Sequence, residues 1–174
     1  MTSVLIVNKI LGILTIGAQV GAVALVLFLI FKWNSGLEFF KKFAMPLSFV
    51  AALLATLGSL FYSEVAGYEP CKLCWYQRIF MYPLVFLFAT AWFAKEKSVF
   101  LFSAMLSGIG GLIAGYHYLV QIGVASATSC GVVGYSVSCA QKFVMQFGYI
   151  TIPMMAFSAF VFVFAFSLLK LRSR

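Results

Sequence analysis

Five apolar runs dominate this chain: Val4–Phe31, Phe43–Tyr62, Trp75–Ala94, Val99–Ile122 and Gly148–Leu169. Each meets or approaches the roughly 20 residues that a helix needs to cross a bilayer. They are long and do not alternate apolar with polar residues, so helices are the expected spanning form. Only 9% of the 174 residues are charged, against 64% hydrophobic. A soluble domain averages about 25% charged residues, so the surface is expected to face lipid. The net charge of +8 does not point to nucleic acid. Basic residues fall in short clusters between apolar runs rather than along one stripe. The first run exceeds the roughly 7–15 residues of a signal-peptide core and ends at Lys32, so it is expected to be a retained span.

Lysine and arginine placement predicts sidedness. Lys32, Lys41 and Lys42 lie between runs one and two, Lys95 and Lys97 between runs three and four, and Lys170, Arg172 and Arg174 at the end. With five crossings these groups share one side, expected to be the cytoplasm. The other side then receives the N-terminus and two loops, about Ser63 to Cys74 and about Gly123 to Phe147. Tyrosines and tryptophans crowd that outer boundary, as in an interfacial belt. Gly17 with Gly21, and Gly111 with Gly115, form GxxxG pairs that let helices approach closely. Pro46, Pro83 and Pro153 are expected near span ends, where they interrupt little.

All four cysteines fall on the outer side: Cys71 and Cys74 in the first loop, Cys130 and Cys139 in the second. An extracytoplasmic setting permits disulfides. Three readings compete: inert staples, a four-cysteine zinc site, and redox exchange. Zinc fits poorly, because the second pair is separated by eight residues where about two to four are usual; no metal is expected. A staple suits the second pair, but a bridge across two residues constrains little of the unfolded chain. A C-x-x-C at a helix start is more often reactive. Cys74 stands about where the third span begins, so free backbone N–H groups and the helix dipole are expected to favour its thiolate. Arg78 follows four residues later on the same helical face, about 6 Å deeper. His117, the only histidine, lies at about 7–8 Å depth near the outer end of the fourth span. If their helices are neighbours, Arg78 and His117 frame a polar spot roofed by Cys74 and walled by Tyr116 or Trp75. An electron-accepting quinone head suits such a spot, since reduction adds negative charge that nearby donors stabilise.

The run Cys71-Lys-Leu-Cys74-Trp-Tyr-Gln-Arg78 resembles the C-x-x-C-x-x-x-R signature of the DsbB family of disulfide-bond formation proteins. Tyr116-His117-Tyr118-Leu-Val-Gln121 is similar to that family's histidine-bearing helix end. Gly148-Tyr-Ile-Thr-Ile-Pro153 resembles the last-helix start of its BdbC branch. The likeness covers about Phe43 to Leu169. It implies a four-helix transmembrane bundle of DsbB type over residues 43–174, with one extra N-terminal transmembrane helix and a cytoplasmic loop over residues 1–42. It implies a multi-pass protein of a prokaryotic cell membrane, acting as a thiol:quinone oxidoreductase. An exported thioredoxin-like oxidase of DsbA or BdbD type would reduce the Cys130–Cys139 disulfide, entering at Cys130. Electrons would pass to Cys71–Cys74, and Cys74 would engage ubiquinone or menaquinone, held by Arg78 with support from His117. The loop pair is closer together than in proteobacterial members. In the vitamin K epoxide reductase family, the nearest rival, the loop cysteines precede the C-x-x-C; here the C-x-x-C comes first. A rival of another class is a membrane scaffold with two stapling disulfides, which predicts no bound quinone.

Overall fold

The computed structural model describes residues 2–31, 34–94, 98–126 and 137–172. Cys130, Lys32, Lys95, Lys97 and Arg174 lie outside the described residues. The protein is an all-helical membrane bundle. Five helices are each long and apolar enough to cross a bilayer: α1 (Thr2–Ile30), α2 (Asn34–Leu60), α3 (Lys72–Ala94), α4 (Val99–Gln121) and α5 (Ile152–Arg172). Among the described residues there is no strand, only an isolated bridge between Gln146 and Ile150.

The helices differ from the apolar runs for identifiable reasons. Hydropathy reports the apolar stretch, whereas the helix continues wherever backbone bonds can be made. So α2 starts at Asn34, well before Phe43, and carries Lys41, which pairs with Glu38 one turn earlier at 2.7 Å. The division expected between residues 42 and 43 falls inside this helix. At its far end α2 runs into a π-helical turn, Phe61–Val65. Pro46 and Pro83 lie inside α2 and α3 rather than near their ends. Each deprives the carbonyl four residues earlier of its N–H donor, a loss that packed membrane helices absorb by local adjustment. α5 begins at Ile152, not Gly148. Phe147 and Gly148 adopt positive φ angles of 52° and 78°, which reverses the chain before the helix. Pro153 then occupies the first turn of α5, where its missing N–H has no partner to lose.

Glycines and phenylalanines organise the packing. On α4, Gly108, Gly111 and Gly115 bring the backbone against Phe164, Phe160 and Phe157 of α5. At Gly110 an added Cβ would overlap the Phe160 ring. Phe88, Phe160, Phe166, Leu84 and Val163 are fully buried in the resulting core. Ser103 and Ser167 join α4 to α5 through a 2.7 Å hydroxyl pair. α2 and α5 run antiparallel, with Tyr62 beside Met155 at one end and Phe40 against Phe166 at the other. α1 packs on α2 and α5. Its GxxxG pair divides: Gly21 meets the Phe162 ring, while a Cβ at Gly17 would meet nothing within 4 Å.

Candidate redox site

The start of α3 carries the first two cysteines. The Cys71 carbonyl accepts the first bond of the helix, from Trp75 N–H at 3.1 Å. Cys71 is therefore the N-cap, and its sulfur also receives the backbone N–H of Cys74, the usual N-cap arrangement. The helix-mouth stabilisation expected for Cys74 thus falls on Cys71, because the helix begins three residues earlier than the apolar run. Both thiols are free and their sulfurs are 3.3 Å apart.

Cys71 is buried, and its thiol is lowered to about 4, first by the hydrogen bond it shares with the Cys74 side chain. Burial opposes this shift, and a hydrogen bond with His117 adds to it. His117 is itself 1% exposed. Its Nδ1 lies 2.8 Å from Gln77 Nε2, and its Nε2 lies 3.6 Å from Cys71 Sγ and 3.1 Å from the Cys139 carbonyl oxygen. With the Gln77 amide donating, the network assigns the ring proton to Nε2.

Cys139 belongs to a disulfide and is 1% exposed. The sulfurs of Cys71 and Cys139 and a ring nitrogen of His117 lie within 4.8 Å of one another. The trio has the look of a metal site, but a disulfide sulfur is not a thiolate ligand, which leaves two donors where structural zinc takes four. Two features of the chain bring the second loop here. Gly123 closes α4 with φ 80°, Gly123 N bonding Val120 O at 3.2 Å and Val124 N bonding Leu119 O at 3.0 Å. This Schellman ending turns the chain sharply. Further along, Gln121 Nε2 holds the Gln141 carbonyl at 2.9 Å.

Cys74 faces the other way, into a cavity of about 490 Å³ between α1, α2, α3 and α5. Leu14, Leu47, Leu54, Met81, Ala159 and Phe160 contribute to a mostly apolar wall, with Cys74, Gln77 and Arg78 together on the α3 side. Glu69 reaches the rim. Arg78 Nε donates to Ser59 Oγ at 2.9 Å and its Nη2 to the Ser59 carbonyl at 3.0 Å. Its guanidinium stacks over the Trp75 ring at 5.1 Å. Among the described residues no carboxylate pairs with it. Tyr68 stacks between Tyr62 and Phe143 at the loop side of the cavity.

The structure therefore brings Cys74 and Arg78 to one wall, and Cys71, His117 and Cys139 to a second cluster behind it. Arg78 and His117 do not frame a single spot. His117, Tyr116 and Trp75 take no part in the cavity wall. Tyr116 packs with the cluster around Cys71 and donates to the Ser126 carbonyl at 3.0 Å, and Trp75 is 55% exposed. The reason is the angular step along α3: four residues keep Cys74 and Arg78 on one face, while Cys71 lies at the helix mouth beside α4. Sequence reasoning missed Gln77, which touches both clusters, and Ser59, which seats Arg78. The available signal was an amide inside an apolar run, three residues after Cys74.

A family model described as disulfide bond formation protein DsbB matches residues 41–170. A probable disulfide formation protein of Oceanobacillus iheyensis is 48% identical over 128 residues, covering 74% of this chain and 88% of that protein. A probable disulfide formation protein C of Halalkalibacterium halodurans is 43% identical over 130 residues, 73% of this chain and 92% of that one. Disulfide bond formation protein C of Bacillus subtilis is 42% identical over 121 residues, 68% and 86% of the two chains. No solved structure matches.

Proposed function

This chain belongs to the DsbB family of disulfide bond formation proteins, and we propose on that footing that it oxidises an exported thioredoxin-like dithiol protein and passes the electrons to a membrane quinone. One observation carries the reading. The two sulfurs of one dithiol face different surroundings, Cys71 towards the Cys139 disulfide and Cys74 towards an apolar cavity that also holds an arginine.

The thiol chemistry balances in four exchanges. A partner thiolate attacks the Cys130 sulfur of a Cys130–Cys139 disulfide and releases Cys139 as a thiolate. The partner's second thiol resolves the mixed disulfide, so the partner leaves oxidised and the loop pair is reduced. The Cys139 thiolate then attacks Cys71 of an oxidised Cys71–Cys74 pair and expels Cys74 as a thiolate. Attack on the Cys139–Cys71 disulfide by Cys130 restores the loop bridge and leaves Cys71 and Cys74 reduced.

The cavity suits a quinone by chemistry. Its apolar walls match a lipid-soluble ring, and a guanidinium without a carboxylate partner among the described residues favours an oxygen that gains negative charge. A bound quinone would supply the two-electron, two-proton acceptor that lets Cys71 and Cys74 close their disulfide. Arg78 would hold a ring oxygen, Cys74 would face the ring, and Gln77 would link the cavity to His117. His117 would tune Cys71 rather than touch the ring. By charge placement, the cysteine end of the bundle faces the cell exterior.

The test is steady-state quinone reduction driven by a reduced thioredoxin-like partner. Cys74→Ser should insert normally and reduce no quinone. Wild-type turnover in that variant would overturn the reading.

A further inference from the structure

The family match begins at residue 41, so α1 lies wholly outside it. Yet α1 supplies one whole side of the cavity, through Leu11, Leu14, Thr15, Gly17 and Ala18. The α2 and α5 residues that face them, Leu47, Leu54, Ala159 and Phe162, would otherwise form a groove open to lipid. The cavity reaches from Ser59 to Leu47 along α2, about 18 Å at 1.5 Å per residue. That is much longer than a ring needs, and the part beyond Arg78 is apolar.

α1 is also fixed in rotation. Gln19 is a polar side chain in an apolar helix, and both ends of its amide are satisfied. Its Nε2 donates to Ser158 Oγ of α5 at 2.9 Å, and its Oε1 accepts from Tyr149 hydroxyl at 2.9 Å. An amide left unpaired in hydrocarbon is costly, so this pair of bonds selects one face of α1 for the bundle. Phe147, held in its left-handed conformation, lays its ring against Gly12, and Phe162 fills the space beside Gly21. Gly17 alone among these three is met by nothing and looks onto the cavity.

We propose that α1 is the wall that binds the apolar tail of a lipid quinone, narrowing a lipid-open groove to a half-enclosed slot and making affinity depend on the tail as well as the ring. This rests on the quinone reading above. Gly17 lines the tail segment, and Gln19 is the positioning residue that keeps it there.

The test is equilibrium affinity, read by quenching of intrinsic tryptophan fluorescence. The probes are a decyl-substituted benzoquinone and its methyl-substituted counterpart. Wild-type protein should prefer the decyl compound. Gly17→Leu has open space at its Cβ and removes a helix glycine, and it should cut that preference about tenfold, the worth of roughly two displaced methylene contacts. Gln19→Leu should reduce the preference in the same direction, while Val20→Phe, on the outward face at 62% exposure, should leave it at the wild-type value. An unchanged preference in Gly17→Leu, or an equal loss in Val20→Phe, would overturn the role of α1 and leave the quinone reading standing. Failure of wild-type protein to bind either compound would overturn both.

Discussion

At the scale of single residues, Cys71 and Cys74 would have different tasks in the proposed relay because they have different neighbours. Cys71 is the N-cap of α3 and touches His117, and its thiol is lowered to about 4, chiefly through the bond shared with Cys74. A lowered thiol is a thiolate at every pH above its folded value. Alkylation of Cys71 in the reduced protein should therefore be nearly independent of pH between about 5 and 8, where an ordinary thiol near 8.5 slows steadily as pH falls. Removing a lowering bond raises the midpoint. Cys74→Ala and His117→Ala should each raise it, since each removes a lowering bond. A wild-type midpoint in the ordinary thiol range would contradict this account. Arg78 makes a second residue-scale prediction. Arg78→Ala should raise the quinone KM about 10- to 100-fold, the range for losing a charged hydrogen bond, with the Cys71 pH profile unmoved. An unchanged KM in a steady-state assay would remove Arg78 from the binding role.

Among the elements, the α4–α5 contact is the closest packed, because glycines on α4 admit phenylalanines of α5. Gly110 has no room for a methyl group against Phe160. Gly110→Ala should destabilise the protein by about 1–3 kcal/mol through overpacking, seen as a lower thermal midpoint in detergent. Gly17→Ala, with open space at its Cβ, should lower no midpoint. The five helices were legible in the sequence because bilayer thickness imposes a length that composition reveals. Their ends were not. Lys41 and Lys42 hid the true start of α2, and the turn at Phe147 and Gly148 displaced the start of α5. The C-x-x-C-x-x-x-R spacing placed Cys74 and Arg78 on one face, which the cavity wall shares. It could not separate Arg78 from His117, because depth along two helices says nothing about which side of α3 each neighbour occupies. Gln77 and Ser59 were invisible for the same reason, since their importance lies in partners on other helices.

For the whole molecule, the bundle has a polar gradient matched to its task. One end holds Cys71, Cys74 and Cys139, and the opposite end carries Lys41, Lys42, Lys170 and Arg172 at the start of α2 and the end of α5. Membrane-impermeant thiol reagents applied to intact cells should label the cysteine end after reduction, and labelling only from the cytosol would reverse the orientation. Electrons would then move inward through a short chain of contacts, from the bridged loop to Cys71, to Cys74, and into the cavity. The most direct test is a single turnover without any partner protein. Dithiol-reduced protein is mixed anaerobically with one equivalent of quinone, and free thiols and quinol are counted together. Two thiols should be lost for each quinol formed in wild-type protein, with neither change in Cys74→Ser. Quinol formation with both α3 thiols still free, or no reduction of the quinone at all, would contradict it.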